Sequence, residues 1–209
     1  MRISFVNPTL GGDYSALDIA STTLASYLNQ RTTHKASICD LTFHRNSWKS
    51  FLGSHIKQNR PDVIGISTTT LYMPYVKQII KEAKRYQLPV ILGGYHASIY
   101  PEESLAIDGV DFICIGDGEY VLSGLMDRLQ DKSSINDLAG LCFKQGGIPR
   151  INSGGSFIED INSLPLPDWD LWQDLDKFFY FIGMLYIIGT AKGAQCQTTW
   201  RGCKEHHVV

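Results

Sequence analysis

The sequence predicts an open, doubly wound α/β domain built on a parallel sheet. Two observations carry this expectation. Over residues 1–130, five short apolar runs alternate with segments of helical period, the pattern of strand-helix units joined by crossovers. The runs are also continuously apolar rather than alternating, as in strands covered on both faces.

Taken in order, residues 3–6 form the first strand, followed by the turn-rich Asn7-Pro8-Thr9-Leu10-Gly11-Gly12-Asp13. A helix is expected over 15–30, with Ile19, Leu24, Tyr27 and Leu28 available for its buried face. Residues 36–39 form a second strand, and weaker helical signals follow as far as Asn59. Pro61-Asp62 introduces a third strand over 63–67. Residues 74–86 repeat the helical period, with Val76, Ile79, Ile80 and Ala83 on one side and Lys77, Lys81, Lys84 and Arg85 on the other. The fourth strand, 89–92, ends in Gly93-Gly94. A short helix is expected near Pro101-Glu102-Glu103, where proline and early carboxylates suit a helix N-terminus. The fifth strand, 111–115, ends in Gly116-Asp117-Gly118-Glu119, and another helix runs on to Gln130. Beyond residue 138, 138–144 and 148–151 flank Gln145-Gly146-Gly147 as a hairpin. Leu164-Pro165-Leu166-Pro167-Asp168-Trp169 is extended and proline-punctuated, a linker.

Composition excludes several classes of function. Hydrophobic residues make up 44% of the chain and charged residues 19%, a globular balance unlike that of a disordered tail. With 19 Lys+Arg against 21 Asp+Glu and no basic stripe, the electrostatic footprint for nucleic acid or anionic lipid is missing. The most apolar stretch, 178–191, holds 14 residues including two glycines. A membrane span needs about 20 residues, so none is expected, and the stretch, if exposed, is a surface for self-association. The five cysteines are odd in number, and Cys39, Cys114 and Cys142 are isolated in apolar contexts. That is not a disulfide framework, and a cytoplasmic location is expected.

In open α/β sheets ligands bind beyond the carboxyl ends of the strands, so the loops there are the ones to read for function. Four are chemically unusual: Asn7, Pro8, Thr9, Leu10, Gly11 and Gly12 after the first strand; Ser67, Thr68, Thr69 and Thr70 after the third; Gly93, Gly94, Tyr95 and His96 after the fourth; Gly116, Asp117, Gly118 and Glu119 after the fifth. The glycines let a ligand approach the backbone, and the hydroxyls supply uncharged donors and acceptors. Each loop alone has a structural reading as a tight turn or helix cap; their occurrence at one end of one sheet points to a large, flat, polar-edged ligand. A G-x-G-x-x-G after the first strand, a Walker A sequence, HExxH and G-x-S-x-G are all absent, which removes dinucleotide, P-loop and hydrolase readings. A binding module remains, with no catalytic residue and no metal ligand assigned. A flavin, nucleotide or nucleotide-sugar is the alternative class of ligand for such a rim.

In these loops the sequence resembles the cobalamin (B12)-binding domain found at the N-terminus of cobalamin-dependent radical S-adenosylmethionine (SAM) enzymes. The resemblance covers residues 1–170. It rests on Pro61-Asp62-Val63-Ile64-Gly65-Ile66-Ser67, Val90-Ile91-Leu92-Gly93-Gly94-Tyr95-His96-Ala97, Tyr100-Pro101-Glu102-Glu103 and Gly116-Asp117-Gly118-Glu119, with the linker-like 161–169 downstream. It implies a flavodoxin-like (Rossmann-like) five-stranded parallel sheet with helices on both faces over 1–135, a hairpin extension over 136–160, and a linker and truncated start of a radical SAM barrel over 161–209. It also implies cobalamin on the carboxyl rim, with Ser67 and its threonine neighbours flanking the nucleotide tail, Gly93-Gly94 letting the tail pass, and the 7–12 loop facing the corrin. That loop lacks the D-x-H-x-x-G of the mutases, so no protein imidazole is expected on cobalt, and His96 lies on another loop. The [4Fe–4S] cluster and SAM are expected only in an intact parent enzyme, whose catalytic domain would be joined in cis. The chain departs from the family after Gly193: Cys196 and Cys203 are seven apart with no third cysteine nearby. A C-x-x-x-C-x-x-C cluster motif is therefore absent, and Cys196, Cys203, His206 and His207 are not assigned as ligands.

Overall fold

The computed structural model describes residues 1–10, 17–154 and 157–179. Expectations for Gly11, Gly12, most of the apolar stretch and the C-terminal cysteines and histidines lie outside the described residues. Contact clustering divides the chain into two units, Met1–Asp13 with Asp18–Gln173, and Tyr14–Leu17 with Asp174–Val209. In the described part of the second unit, Lys177 Nζ pairs with Asp174 Oδ1 at 2.8 Å, one helical turn apart.

The first unit holds one seven-stranded sheet. Its strands are β1 (Arg2–Asn7), β2 (Lys35–Asp40), β3 (Val63–Ser67), β4 (Val90–Gly93), β5 (Phe112–Cys114), β6 (Leu141–Gln145) and β7 (Ile148–Ile151), in the spatial order 2-1-3-4-5-6-7. The first five pair in parallel. The expected hairpin is present, and instead of standing apart it extends the same sheet, β6 pairing antiparallel to β5 and β7 to β6. Proline at position 149 suits β7, an edge strand where a missing N–H costs nothing.

The helices are α1 (Ile19–Arg31), α2 (Trp48–Asn59), α3 (Met73–Lys84), α4 (Gly94–Ile99), α5 (Pro101–Ala106) and α6 (Gly118–Asp131). The main core lies under α2 to α5, where Ile64, Ile66, Val90, Leu92 and Ile113 of the sheet meet Leu52, Val76, Ile80 and Leu105. The α3 periodicity read from the sequence is fulfilled: Val76, Ile79, Ile80 and Ala83 are all fully buried. Helices α1 and α6 touch each other and pack on the sheet from β1 to β5.

Helix α1 keeps Leu28 of the expected face buried and Leu24 and Tyr27 half-buried, and departs from it at Ile19. Ile19 is 63% exposed and the buried positions are Ser21, Thr22, Ala25, Ser26 and Leu28. The buried hydroxyls are satisfied locally: Thr22 Oγ1 donates to the Asp18 carbonyl at 2.7 Å and Ser26 Oγ to the Thr22 carbonyl at 2.7 Å. Residues 163–172 then lie along this helix. Arg31 donates to the Ser163 carbonyl at 3.5 Å, the Asp168 N–H donates to Ser26 Oγ at 2.7 Å, and Trp172 reaches Thr22. Hydroxyls at these positions let the helix bury a second side against a backbone segment that needs acceptors.

Candidate functional site

The carboxyl ends of β1 and β3 mark the switch point of the sheet, since the chain leaves β1 toward β2 on one side and later returns to β3 on the other. Beside it a crevice of about 260 Å³ opens over the carboxyl ends of β3, β4 and β5, with Phe5 its contribution from β1. Its floor is the sheet, with Phe5, Gly65, Ile91 and Cys114. Ser21, Thr23 and Leu24 of α1 form one wall, and Gly118, Glu119 and Leu122 of α6 the other. Ser67, Gly93, Gly94, Gly116 and Asp117 surround it at the strand ends.

Two glycines shape the opening differently. Gly93 closes β4 and serves as the N-cap of α4, and a Cβ added to it would meet nothing nearer than Cys114 at 3.9 Å. Backbone is therefore bare to the crevice at this point, and any larger side chain would enter the crevice. Gly94 starts α4 at φ +83°, and its Cβ would sit 2.7 Å from Thr68 N and 2.8 Å from Thr68 O. Here glycine is demanded by both the left-handed backbone and the close approach of the β3 loop. A third glycine, Gly65 within β3, leaves room for the Phe5 ring, which would lie 2.8 Å from an added Cβ.

The four loops divide between crevice and scaffold. Ser67, Gly93, Gly94, Gly116, Asp117, Gly118 and Glu119 line the crevice as a group. Thr68 is fully buried and latches two loops: its hydroxyl donates to the Gly93 carbonyl at 2.7 Å and accepts the Ala97 N–H at 3.3 Å. Thr69 and Thr70 are exposed, and Thr70 Oγ1 lies 3.1 Å from Nδ1 of His96, itself buried on α4. Tyr95, 80% exposed, and Leu71, 76% exposed, stand on the same carboxyl rim. Asn7, Pro8 and Thr9 are buried away from the crevice, and Leu10 packs on the main core. Asn7 Nδ2 donates to Asp40 Oδ1 at 2.9 Å, and Thr9 Oγ1 donates to Asn7 Oδ1 at 2.7 Å.

The crevice carries no Lys or Arg among its lining residues. Burial raises the pKa of the Glu119 carboxyl, its own amide N–H partly offsets this, and the neighbouring Asp117 adds to the rise. Burial pushes the Cys114 thiol up to about 12, with Glu119, Cys142 and Asp117 contributing. Asp117 is held from behind, its Oδ2 accepting the Ile158 N–H at 2.7 Å. The sequence reading missed the α1 wall and the strand floor. A glycine inside an apolar strand, Gly65, and three successive hydroxyl residues, Ser21-Thr22-Thr23, were the signals present. No helix among the described residues is long and apolar enough to cross a membrane.

A family model of the B12 binding domain matches residues 4–126. Over 142 residues the chain is 30% identical to an uncharacterized methyltransferase, PH0819, of Pyrococcus horikoshii, which covers 66% of this chain and 29% of that protein. It is 28% identical over 144 residues to the tryptophan 2-C-methyltransferase of Streptomyces laurentii, covering 63% of this chain and 23% of the relative. Among solved structures, the radical SAM methyltransferase TsrM from Kitasatospora setae, with cobalamin and a [4Fe-4S] cluster bound, superposes with a TM-score of 0.66 at 20% identity, over 78% of this chain and 30% of that one. The cobalamin-dependent radical SAM enzyme OxsB, with aqua-cobalamin bound, gives 0.67 at 20% identity, over 85% and 25%. The chain thus spans less than a third of the length of each of these relatives. The family model matches more than half of the chain, which belongs to the B12-binding domain family.

Proposed function

We propose that this chain is the cobalamin-holding module of a radical SAM enzyme that transfers a methyl group or carries out a radical rearrangement or ring closure. In this reading residues 161–209 are the linker and the start of the catalytic barrel, and the 209 residues hold the cofactor without catalysing. The [4Fe–4S] cluster and SAM belong to the intact parent enzyme. Support comes from the B12-binding family match and from relatives named as methyltransferases. Buried free thiols at Cys39, Cys114 and Cys142 accord with a cytoplasmic site of action.

The observation that carries the reading is the crevice over the carboxyl ends of β3, β4 and β5, open where Gly93 is bare. Its residues fit the nucleotide end of cobalamin: apolar surface from Phe5, Leu24, Ile91 and Leu122 suits a flat base, and Ser67 and the glycine backbone suit the sugar-phosphate nearer the rim. Leu71 and Tyr95 offer exposed apolar surface to the corrin edge. When bound, cobalamin supplies a cobalt centre able to carry a methyl group. The chain's own part is to fix the cofactor's orientation and to keep water from its buried end.

Titration with hydroxocobalamin, followed by desalting and visible spectroscopy, tests this. Retained cobalamin with a shifted spectrum is expected, together with no retention of flavin mononucleotide. A folded protein that retains flavin and releases cobalamin would overturn the proposal.

A further inference from the structure

We infer that Glu119 holds the base of cobalamin's nucleotide end, its carboxyl donating a hydrogen bond to the ring nitrogen that the base exposes when it is off the cobalt. The inference rests on the reading that the crevice takes the nucleotide end.

A benzimidazole base inside an apolar crevice brings one in-plane acceptor, the unsubstituted ring nitrogen. Left without a donor, such a buried acceptor weakens binding. The crevice has few protons to offer. The Ser21 hydroxyl is committed to Asp18 Oδ2 at 2.5 Å, and the Thr23 hydroxyl to the Ile19 carbonyl at 2.9 Å. Asp117 already accepts the Ile158 N–H. Ser67 is half-buried at the end of β3, on the rim side. Glu119 is left. It is only 6% exposed, lines the crevice, and makes no ion pair or hydrogen bond to another side chain among the described residues.

The surroundings favour the protonated, donating form of this carboxyl. The titratable groups near it are Asp117 on the same loop, Cys114 on β5 with Cys142 behind it on β6, Tyr27 on α1 and the adjacent Tyr120. None is a cation at neutral pH. Arg31 acts on Tyr27 and does not line the crevice. Burial and Asp117 both disfavour the carboxylate, and the first turn of α6 gives back only the support of its own amide. A neutral Glu119 also avoids repelling the cofactor's phosphodiester, for which the crevice has no cationic partner.

The experiment compares hydroxocobalamin with cobinamide, which keeps the corrin and lacks the nucleotide base, on the full 209-residue chain. Glu119→Leu is expected to weaken cobalamin binding by about tenfold or more and to leave cobinamide binding within about twofold. Glu119→Gln keeps an N–H donor and is expected to stay close to the wild type for both. Raising the pH should erode the wild-type preference for cobalamin over cobinamide, but not that of Glu119→Gln. Thermal melts establish that the variants fold, and Glu119→Gln alone carries the pH test should the leucine variant fail to. Equal losses for both ligands, or a wild-type preference that grows with pH, would overturn the role of Glu119. A wild type that binds both ligands equally would overturn the crevice reading beneath it, and one that binds neither would overturn the cobalamin reading itself.

Discussion

The indole N–H of Trp172 donates to Thr22 Oγ1 at 2.8 Å, tying two residues 150 positions apart. Trp172 is 3% exposed, so this bond is made out of water, and Thr22 passes its own proton on to the Asp18 carbonyl at 2.7 Å. With the Asp168 N–H on Ser26, it fixes the 163–172 segment along α1, whose other side forms a wall of the crevice. Trp172→Phe should lower stability by about 2 kcal/mol and Thr22→Val by about 1–2 kcal/mol. The double variant should fall short of their sum by about 1 kcal/mol, because the two residues share one bond. Urea denaturation of the four proteins measures this, and strict additivity would mean that the bond contributes nothing.

Gly93 and Gly94 are adjacent, and their substitutions should separate binding from folding. Gly93→Val adds a Cβ whose nearest neighbour lies 3.9 Å away and methyls that extend into the crevice, so the protein should fold normally and fail to retain cobalamin. Gly94→Ala places a methyl against Thr68 backbone at 2.7 Å on a residue at φ +83°, and should cost about 2–4 kcal/mol. Melting temperature and cofactor retention, measured on both variants, distinguish the cases. A Gly93→Val protein that holds cobalamin as tightly as the wild type would remove the nucleotide end from this position.

Why the sequence disclosed some of this and not the rest follows from which residues carry hydropathy. Strands such as Val63–Ser67 and Val90–Gly93 are apolar on both faces, so their existence, order and carboxyl-end loops could be read directly. Helix α3 could be read for the same reason. Helix α1 could be read as a helix and Leu28 as buried, but not the rest of its face, because Ser21, Thr22 and Ser26 are buried too and the last two are covered by a segment more than 130 residues away. A hydropathy period cannot register a face covered through hydrogen bonds. Loop position alone likewise could not separate Ser67, on the crevice, from Thr68, turned inward to Gly93 and Ala97. The hairpin was legible as a hairpin, but its joining of β5 depends on the β5–β6 register, which no local pattern encodes.

His55 should make the fold acid-sensitive. Its Nε2 lies 3.1 Å from Ser4 Oγ and 3.2 Å from Ser37 Oγ, and the two hydroxyls are 2.8 Å apart across β1 and β2. Burial lowers its pKa from 6.5 to about 4. The unfolded chain therefore binds a proton that the folded one refuses between these values. Stability from this group is fully present above pH 6.5 and is lost as pH falls toward 4, by an amount of about 3 kcal/mol. Carboxylates also titrate in this range, so the comparison is with His55→Asn. The difference in unfolding free energy between wild type and variant should shrink as pH drops from 7 to 4.5, and a constant difference would show that His55 is not the sensor.

Asn7 provides a last test, of whether the end of β1 is site or scaffold. Its amide bridges the two edges of a buried cluster, giving a hydrogen bond to Asp40 Oδ1 at 2.9 Å and accepting one from Thr9 Oγ1 at 2.7 Å. Asp40 Oδ1 also takes the Thr42 hydroxyl at 2.7 Å, so removing the Asn7 amide leaves Asp40 partly satisfied but strips Thr9 of its acceptor. Asn7→Leu should cost about 2–3 kcal/mol through that buried loss and the mismatch of shape. Asn7 faces Asp40 and Thr9 and does not line the crevice, so cobalamin affinity measured well below the melting temperature should change by less than about threefold, under 1 kcal/mol. A large loss of cobalamin affinity with unchanged stability would instead bring the 7–10 loop into direct contact with the cofactor.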